Sequence, residues 1–253
     1  MTYKFSGKEI KIGLQLWSIR EYCARDLPAS LARVAEMGYQ GVEFAGYYDY
    51  TAAELRRQLD RLGLVCCGTH TKLETLQEEN LAETVEFNRV LGNPYLICPS
   101  IKLETIARWR TMARRFAGLA ERVEPKGAHV GYHNHAHDFA TLDGEVSWHV
   151  FFDETPPQVL MQVDPGNAMG GGADPVALLR RYPHRSPTVH LKDYADGDTN
   201  LLIGEGELDW HEYLSACVQD GGSRWFIVEI ENPRMDNMEA AQRCLENLKD
   251  FLD

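Results

Sequence analysis

The chain has 253 residues, of which 44% are hydrophobic and 25% are charged, and its formal net charge is -12. This acidic balance disfavours duplex nucleic acid as a partner, because phosphate contacts require a basic surface. No apolar run reaches the roughly 20 residues of a membrane span, and residues 1–10 lack the apolar core of a signal peptide. We therefore expect a cytoplasmic protein that binds neither nucleic acid nor membranes.

The sequence alternates short apolar segments with amphipathic segments eight times. The apolar segments predict strands over residues 10–17, 41–44, 64–69, 95–98, 129–132, 159–163, 188–191 and 225–230. The amphipathic segments predict helices over residues 28–37, 51–62, 73–91, 103–123, part of 145–153, a segment from 174, a segment from 209, and 238–252. Two helix starts are well marked, by a capping-box pattern at Thr51 and Glu54 and by Asp174 with a first-turn proline.

Eight strand–helix units in 253 residues predict an α/β fold, a (β/α)8 TIM barrel that forms a single domain over residues 1–253. The alternative is a doubly wound open sheet. Such a sheet usually has a glycine-rich phosphate-binding turn after its first strand, but the residues here are Gln15-Leu16-Trp17-Ser18-Ile19. In a barrel the carboxyl ends of all strands lie at one face, so side chains at those ends should share one site.

Three side chains that can bind a metal lie at the ends of predicted strands six, seven and eight: Asp164, His190 and Glu229. Each has a structural alternative, since Asp164 could cap the following turn and His190 could be a hydrogen-bonded core residue. Together they form a hard, oxygen-rich ligand set that favours Mn²⁺, Mg²⁺ or Co²⁺ and leaves Zn²⁺ open. The sequence therefore predicts a divalent metal site with open positions for substrate oxygens.

Two histidines follow predicted strand five. Strand alternation sends His133 and His135 to one side and Asn134 to the other. His133 could be a fourth metal ligand, and His135, one step further out, could act as a general acid or base, because the ordinary pKa of histidine lies near neutrality. The alternative is a solvated polar loop.

Lys192 and five further residues are candidates for substrate contact. Lys192 could contact a carbonyl oxygen or a phosphate as part of the catalytic set, or simply pair with Asp193. The residues that we expect to bind substrate are Trp17, Glu43, His70, Asn167 and Glu231, with Glu43 and His70 facing the mouth of the barrel. Trp17 has a plain core role as its alternative, and Glu231 could instead be a solvated charge at the strand end.

On these residues the chain resembles the xylose-isomerase-like TIM-barrel superfamily, and within it the sugar phosphate isomerases/epimerases and the inosose dehydratase-like branch. The segments that carry the resemblance are residues 131–135, 163–167, 190–193 and 204–210. The resemblance implies that Asp164, His190 and Glu229 are metal ligands. The usual fourth ligand of the family is a glutamate at the end of strand five, where this chain has His133. In ketose 3-epimerases that glutamate is one of two proton-transfer bases.

The expected function is that of a divalent-metal-dependent isomerase or epimerase of a sugar or sugar phosphate, acting by proton transfer through a stabilised enediolate. Glu229 would take the proton and His135 would return it. The first alternative is a metal-dependent lyase or dehydratase of a keto-sugar or keto-inositol. The second is a non-catalytic sugar-binding barrel. The endonuclease branch of the superfamily is disfavoured, because it has a histidine where this chain has Asn167. Whether the chain forms a homo-oligomer stays open.

Overall fold

A computed structural model describes residues 2–253 of the chain. Its strands are β1 Tyr3–Phe5, β2 Lys8–Gln15, β3 Gly41–Phe44, β4 Val65–His70, β5 Tyr95–Cys98, β6 His129–His133, β7 Thr141–Leu142, β8 Glu145–Val146, β9 Leu160–Gln162, β10 Thr188–Leu191 and β11 Trp225–Val228. Its α-helices are α1 Arg20–Arg25, α2 Leu27–Met37, α3 Ala52–Leu62, α4 Glu78–Leu91, α5 Ile106–Val123, α6 Ser147–Asp153, α7 Pro165–Gly170, α8 Pro175–Arg181, α9 Trp210–Ala216 and α10 Asn237–Leu248.

Eight of these strands form one parallel sheet in the order β10-β11-β2-β3-β4-β5-β6-β9. The two ends of this sheet approach each other, since the His190 amide donates to the Val163 carbonyl at 2.8 Å and the Met161 amide donates to the Arg185 carbonyl at 2.7 Å. Strand order follows chain order around a nearly closed barrel with helices in its connections. The predicted TIM-barrel fold is therefore confirmed, and the doubly wound alternative is wrong.

The local sequence signals explain most of the element boundaries. The Thr51–Glu54 capping box is present: the Glu54 amide donates to Thr51 Oγ1, and the Thr51 amide donates to a Glu54 carboxylate oxygen. Asp174 likewise accepts from the Val176 amide at the start of α8. Helix α3 ends at Leu62 and is capped by Gly63, whose φ of +68° is the left-handed conformation that glycine adopts without strain.

Some elements differ from their predicted bounds. The predicted helix over 73–91 is a 3-10 turn, Leu73–Leu76, followed by α4, because Gln77 between them has an extended backbone and Leu76 turns into the core. Strand β2 ends at Gln15 and is followed by a 3-10 turn. Strand β11 ends at Val228. Glu229 and Glu231 thus lie just beyond the last barrel strand, at its carboxyl end.

Among residues 2–253, none of the helices combines the length and the apolar character that crossing a membrane requires.

Candidate active site

Four buried side chains meet at the carboxyl ends of the last barrel strands. His133 ends β6, Asp164 follows β9, His190 lies in β10 and Glu229 follows β11. One ligand atom from each lies within 4.8 Å of the others. The residues are between 0% and 6% exposed. These are the four residues that we predicted as metal ligands, and the barrel brings them together; their role as ligands stays a prediction.

The ring of His190 is held by carboxylates on both sides. Its Nε2 lies 2.7 Å from Glu43 Oε2, while its Nδ1 lies 2.6 Å from Glu229 Oε2 and 3.6 Å from Asp164 Oδ2. Burial lowers the pKa of His190, but the Glu229 charge and the contacts with the carboxylates of Asp164, Glu229 and Glu43 raise it well above its ordinary value. A carboxylate that accepts from one ring nitrogen is typical of histidines that bind metals through the other; here that other nitrogen, Nδ1, faces Glu229 and Asp164.

Glu43 does not occupy the predicted place at the mouth of the barrel. It is fully buried, and besides its contact with His190 it accepts hydrogen bonds from Gln15 Nε2 at 2.7 Å and Gln162 Nε2 at 2.8 Å. Its register partner on β2 is Gln15, the last residue of that strand. Space for it comes from Gly68, where an added Cβ would lie 2.3 Å from Glu43 Oε1. Glu43 therefore lies behind His190 and orients it, and the prediction that it lines the mouth is wrong.

Three buried polar atoms around this cluster have no hydrogen-bond partner within residues 2–253: Asp164 Oδ2, His133 Nδ1 and His135 Nδ1. Leaving such an atom unpaired costs about 1–3 kcal/mol. The other oxygen of Asp164 accepts from the Asn167 amide at 2.7 Å and caps α7, so the capping role and the open oxygen coexist in one side chain. Oxygen and imidazole donors with uncommitted lone pairs fit a divalent cation.

Asn134 supports the cluster from the face of the strand opposite His133 and His135. Its side chain donates to the Asp164 carbonyl at 2.9 Å and accepts from the Asp164 amide at 2.8 Å. Asn167 Nδ2 donates in turn to the Asn134 carbonyl at 3.1 Å. This pair fixes the backbone of Asp164. The sequence signal for this role is the position of Asn134 between two histidines at a strand end. Alternation there turns the amide side chain to the face opposite the two imidazoles.

Lys192 pairs with Glu231 and not with Asp193. Its Nζ donates to Glu231 Oε1 at 2.6 Å and to Asn167 Oδ1 at 3.4 Å, and the side chain is almost fully buried. Burial lowers the pKa of Lys192, but the charges of Glu229, Asp164 and Glu231 raise it above its ordinary value. The lysine therefore stays charged beside the ligand cluster. The pairing also makes Glu231 part of the site instead of a solvated strand-end charge.

Asp193 organises the loop that follows β10. Its Oδ2 accepts from the amides of Gly204 at 2.8 Å and Gly206 at 3.0 Å, and from Trp210 Nε1 at 3.1 Å. An added Cβ at Gly206 would lie 2.2 Å from Asp193 Oδ1, so only glycine lets the loop approach this closely. The 204–210 segment is thus folded by a buried carboxylate.

Above the cluster lies a cavity of about 350 Å³, which we call the proximal cavity. Its lining consists of Trp17, Ala45, His70, Lys72, Pro99, Ser100, His133, His135, Glu229 and Glu231. Trp17 is 44% exposed, so its core alternative is wrong. His70 packs on His190 with ring centres 5.4 Å apart. Of the predicted substrate contacts, Trp17, His70 and Glu231 line this cavity; Asn167 is tied to its protein partners.

His135 lies at the rim of the proximal cavity. Its ring centre is 5.1 Å from that of His133, so the two imidazoles share one side of the chain as alternation predicted. Burial lowers the pKa of both histidines. Neutral imidazoles can bind a metal or accept a proton, and His135 Nδ1 has no protein partner among the described residues.

Comparison with known proteins identifies the family. The model of the xylose isomerase-like TIM barrel family matches residues 31–250. The chain belongs to this family.

Curated relatives include two bacterial proteins at low identity. The chain is 24% identical over 244 residues to the rhizopine catabolism protein MocC of Rhizobium meliloti, covering 81% of this chain and 74% of MocC. It is 23% identical over 245 residues to the inosose dehydratase of Geobacillus kaustophilus, covering 79% of each chain.

Solved structures share the same fold. A sugar phosphate isomerase/epimerase from Parabacteroides distasonis superposes with a TM-score of 0.86 at 21% identity, covering 96% of this chain and 100% of the other. The IOLI protein, described with a bound zinc atom, superposes with a TM-score of 0.77 at 17% identity, covering 96% and 98%. The relatives named here with an activity are enzymes, isomerases/epimerases or a dehydratase.

Proposed function

We propose that the protein is a divalent-metal-dependent isomerase or epimerase of a sugar, acting by proton transfer next to a carbonyl. The observation that carries the proposal is the cluster of His133, Asp164, His190 and Glu229, whose ligand atoms lie within 4.8 Å of one another beneath an open cavity. These four residues would hold the ion. When bound, a divalent cation acts as a Lewis acid that polarises a carbonyl and acidifies the neighbouring C–H group.

The charges around the cluster support a cation. Four carboxylates, those of Glu43, Asp164, Glu229 and Glu231, surround two positive charges, on His190 and Lys192. Burial of like charges is costly unless a cation neutralises them. Since Asp164 Oδ2 and His133 Nδ1 accept or donate no hydrogen bond within residues 2–253, they can bind an ion without breaking one.

Two groups on the cavity wall can move a proton. Glu229 is held ionised, because the positive charges of Lys192 and His190 lower its pKa despite the burial that raises it. Its carboxylate would accept the proton from the acidified carbon. His135, neutral and with a free Nδ1, would take up or return a proton on the other side of the cavity. Lys192 adds a fixed positive charge that stabilises negative charge developing on the substrate.

A dehydratase is the second candidate, and one observation favours it. His133 stands where epimerases of this superfamily have a second glutamate, so the carboxylate that would pair with Glu229 in a two-glutamate mechanism is replaced by an imidazole. An imidazole that carries a proton can instead protonate a leaving hydroxyl. The similarity to inosose dehydratase points the same way.

The test combines metal analysis with product analysis. Protein purified from metal-supplemented medium is analysed for bound metal and then incubated with keto- and aldo-sugars in deuterated water. The proposal expects about one metal per chain and a product with carbon-bound deuterium and the full set of substrate oxygens. Loss of water from the substrate would favour the dehydratase. Protein without metal and without turnover would overturn both.

A further inference from the structure

A second cavity of about 550 Å³, which we call the distal cavity, adjoins the proximal cavity. Ala45, His70 and Lys72 line both cavities, so the two are neighbours across these residues. Volumes of roughly 300–1,000 Å³ are typical of small-molecule sites. The volume of the proximal cavity, about 350 Å³, already lies in this range, so that cavity can hold a single sugar without the distal one. The distal cavity is therefore available for a further group of the same ligand.

One wall of the distal cavity is a rigid aromatic pair. Tyr47, in the loop after β3, and Phe87, on α4, have ring centres 4.2 Å apart with their planes inclined by 32°. The Tyr47 hydroxyl accepts from Asn88 Nδ2 at 3.4 Å, and Asn88 is fully buried and bonded to the Thr84 carbonyl. Aromatic rings fixed in this way supply contact area without losing conformational freedom on binding.

The charges of the distal cavity oppose an anionic ligand. The side chains of Lys72 and Glu83 line it. Neither side chain has an ion-pair or hydrogen-bond partner within the described part of the chain. Phosphate sites instead use several cations or an uncapped helix N-terminus. Here the adjacent helix α4 has Glu78 and Glu79 in its first turn, which disfavours an anion at that end. Asn80, whose Nδ2 donates to the Glu74 carbonyl at 3.0 Å, keeps its amide oxygen as an acceptor for a ligand hydroxyl group.

We propose that the substrate is an uncharged glycoside of two linked rings. The reacting sugar would occupy the proximal cavity, and a second, hydroxyl-bearing ring would pack on Tyr47 and Phe87 in the distal cavity. Lys72, at the junction, would donate to the oxygen that links the rings. This inference rests on the proposed function for the placement of the reacting sugar, and it names the substrate class of the same site as neutral and not phosphorylated.

The test is a binding measurement that does not need turnover. Calorimetric titration of the wild-type protein compares glucose, glucose 6-phosphate, cellobiose and a hydroxyphenyl glucoside; the last two differ in whether the second ring is a sugar or an aglycone. We expect each two-ring ligand to bind at least about 10-fold more tightly than glucose, and the better of the two identifies the second ring. Tightest binding of glucose 6-phosphate, or equal binding of glucose and both glycosides, would overturn the inference.

Two variants test whether the second ring of the ligand binds in the distal cavity. Phe87→Ala should weaken two-ring ligands by about 2- to 12-fold, the usual range for one aromatic contact, and leave glucose binding unchanged. Because Phe87 packs partly on the core, Asn80→Trp on the exposed surface of α4 provides an independent block of the distal cavity. Equal weakening of glucose and the glycosides in both variants would contradict the assignment. Two-ring binding that persists without any metal or turnover would instead refute only the proposed function.

Discussion

The protein buries two polar clusters, and they differ in how completely their atoms are paired. Near the amino end of β10, Arg185 is 5% exposed and donates to the carbonyls of Phe152, Thr155, Pro156 and Val159 and to Thr155 Oγ1, at 2.8–3.3 Å. At the carboxyl ends of the strands, Asp164 Oδ2 and His133 Nδ1 have no partner within residues 2–253. Both clusters are equally buried.

The difference separates a structural role from a binding role. A buried polar group that is fully hydrogen-bonded stabilises one arrangement of the chain, whereas an unpaired one costs free energy that the protein recovers only when a ligand binds. The Arg185 cluster joins the loop before β9 to β10 and needs nothing further. Under the proposed function, a bound cation would complete the cluster around Asp164. Substitutions in one cluster should therefore alter metal binding or turnover, and substitutions in the other should alter stability.

The largest effect is expected at Asp164. Asp164→Asn keeps the oxygen that accepts from the Asn167 amide, so α7 should remain capped, but it removes the charge and the open carboxylate oxygen. We expect loss of metal retention and of measurable turnover with an unchanged fold, checked by elemental analysis and circular dichroism. Full metal stoichiometry in this variant would refute the assignment of Asp164 as a ligand.

The next effect is expected at His135. His135→Asn should retain the metal and lower turnover by about 10²–10⁴-fold, the usual contribution of general acid–base catalysis. The matched control is His137→Asn, because the His137 ring lies 5.6 Å from that of His135 but is outside the proximal cavity lining. Normal turnover of His135→Asn at saturating metal would move proton transfer to Glu229 or Glu231.

Arg185 should affect stability without affecting the site. Arg185→Met leaves several buried carbonyls without donors, and we expect a loss of about 3 kcal/mol or more in the free energy of unfolding, measured by urea denaturation. Arg185→Lys should also destabilise, though less, since an ammonium group cannot reproduce the planar fork. Metal content per folded chain should stay at the wild-type value in both. A loss of metal from the folded protein would contradict the separation of the two clusters.

The smallest effect on metal binding is expected for Glu43, whose carboxylate contacts His190 Nε2 on the side of the ring away from Glu229. Glu43→Gln removes the carboxylate at His190 Nε2, and we expect metal affinity to fall by about 10- to 100-fold, as for other groups that orient a metal ligand. Excess metal should restore turnover, which distinguishes this variant from Asp164→Asn. Unaltered affinity, measured by competition with a chelator, would show that His190 does not need Glu43 for its orientation.

Much of the fold and the composition of the site followed from local patterns. Strand periodicity, helix caps and terminal glycines depend on neighbouring residues, so they predicted the barrel and its element order. Because all parallel strands of a barrel end at one face, the same patterns predicted that Asp164, His190, Glu229 and His133 would meet.

Only the tertiary structure decided depth, pairing and cavity shape. Glu43 lies behind His190 instead of at the mouth, because Gly68 on the neighbouring strand leaves room for its carboxylate inside the barrel. Lys192 pairs with Glu231, 39 positions away, and not with its neighbour Asp193, which folds the 204–210 segment. The distal cavity combines Tyr47 from one connection with Phe87 from a later helix. Such contacts depend on how distant segments pack together, and strand or helix periodicity carries no information about them.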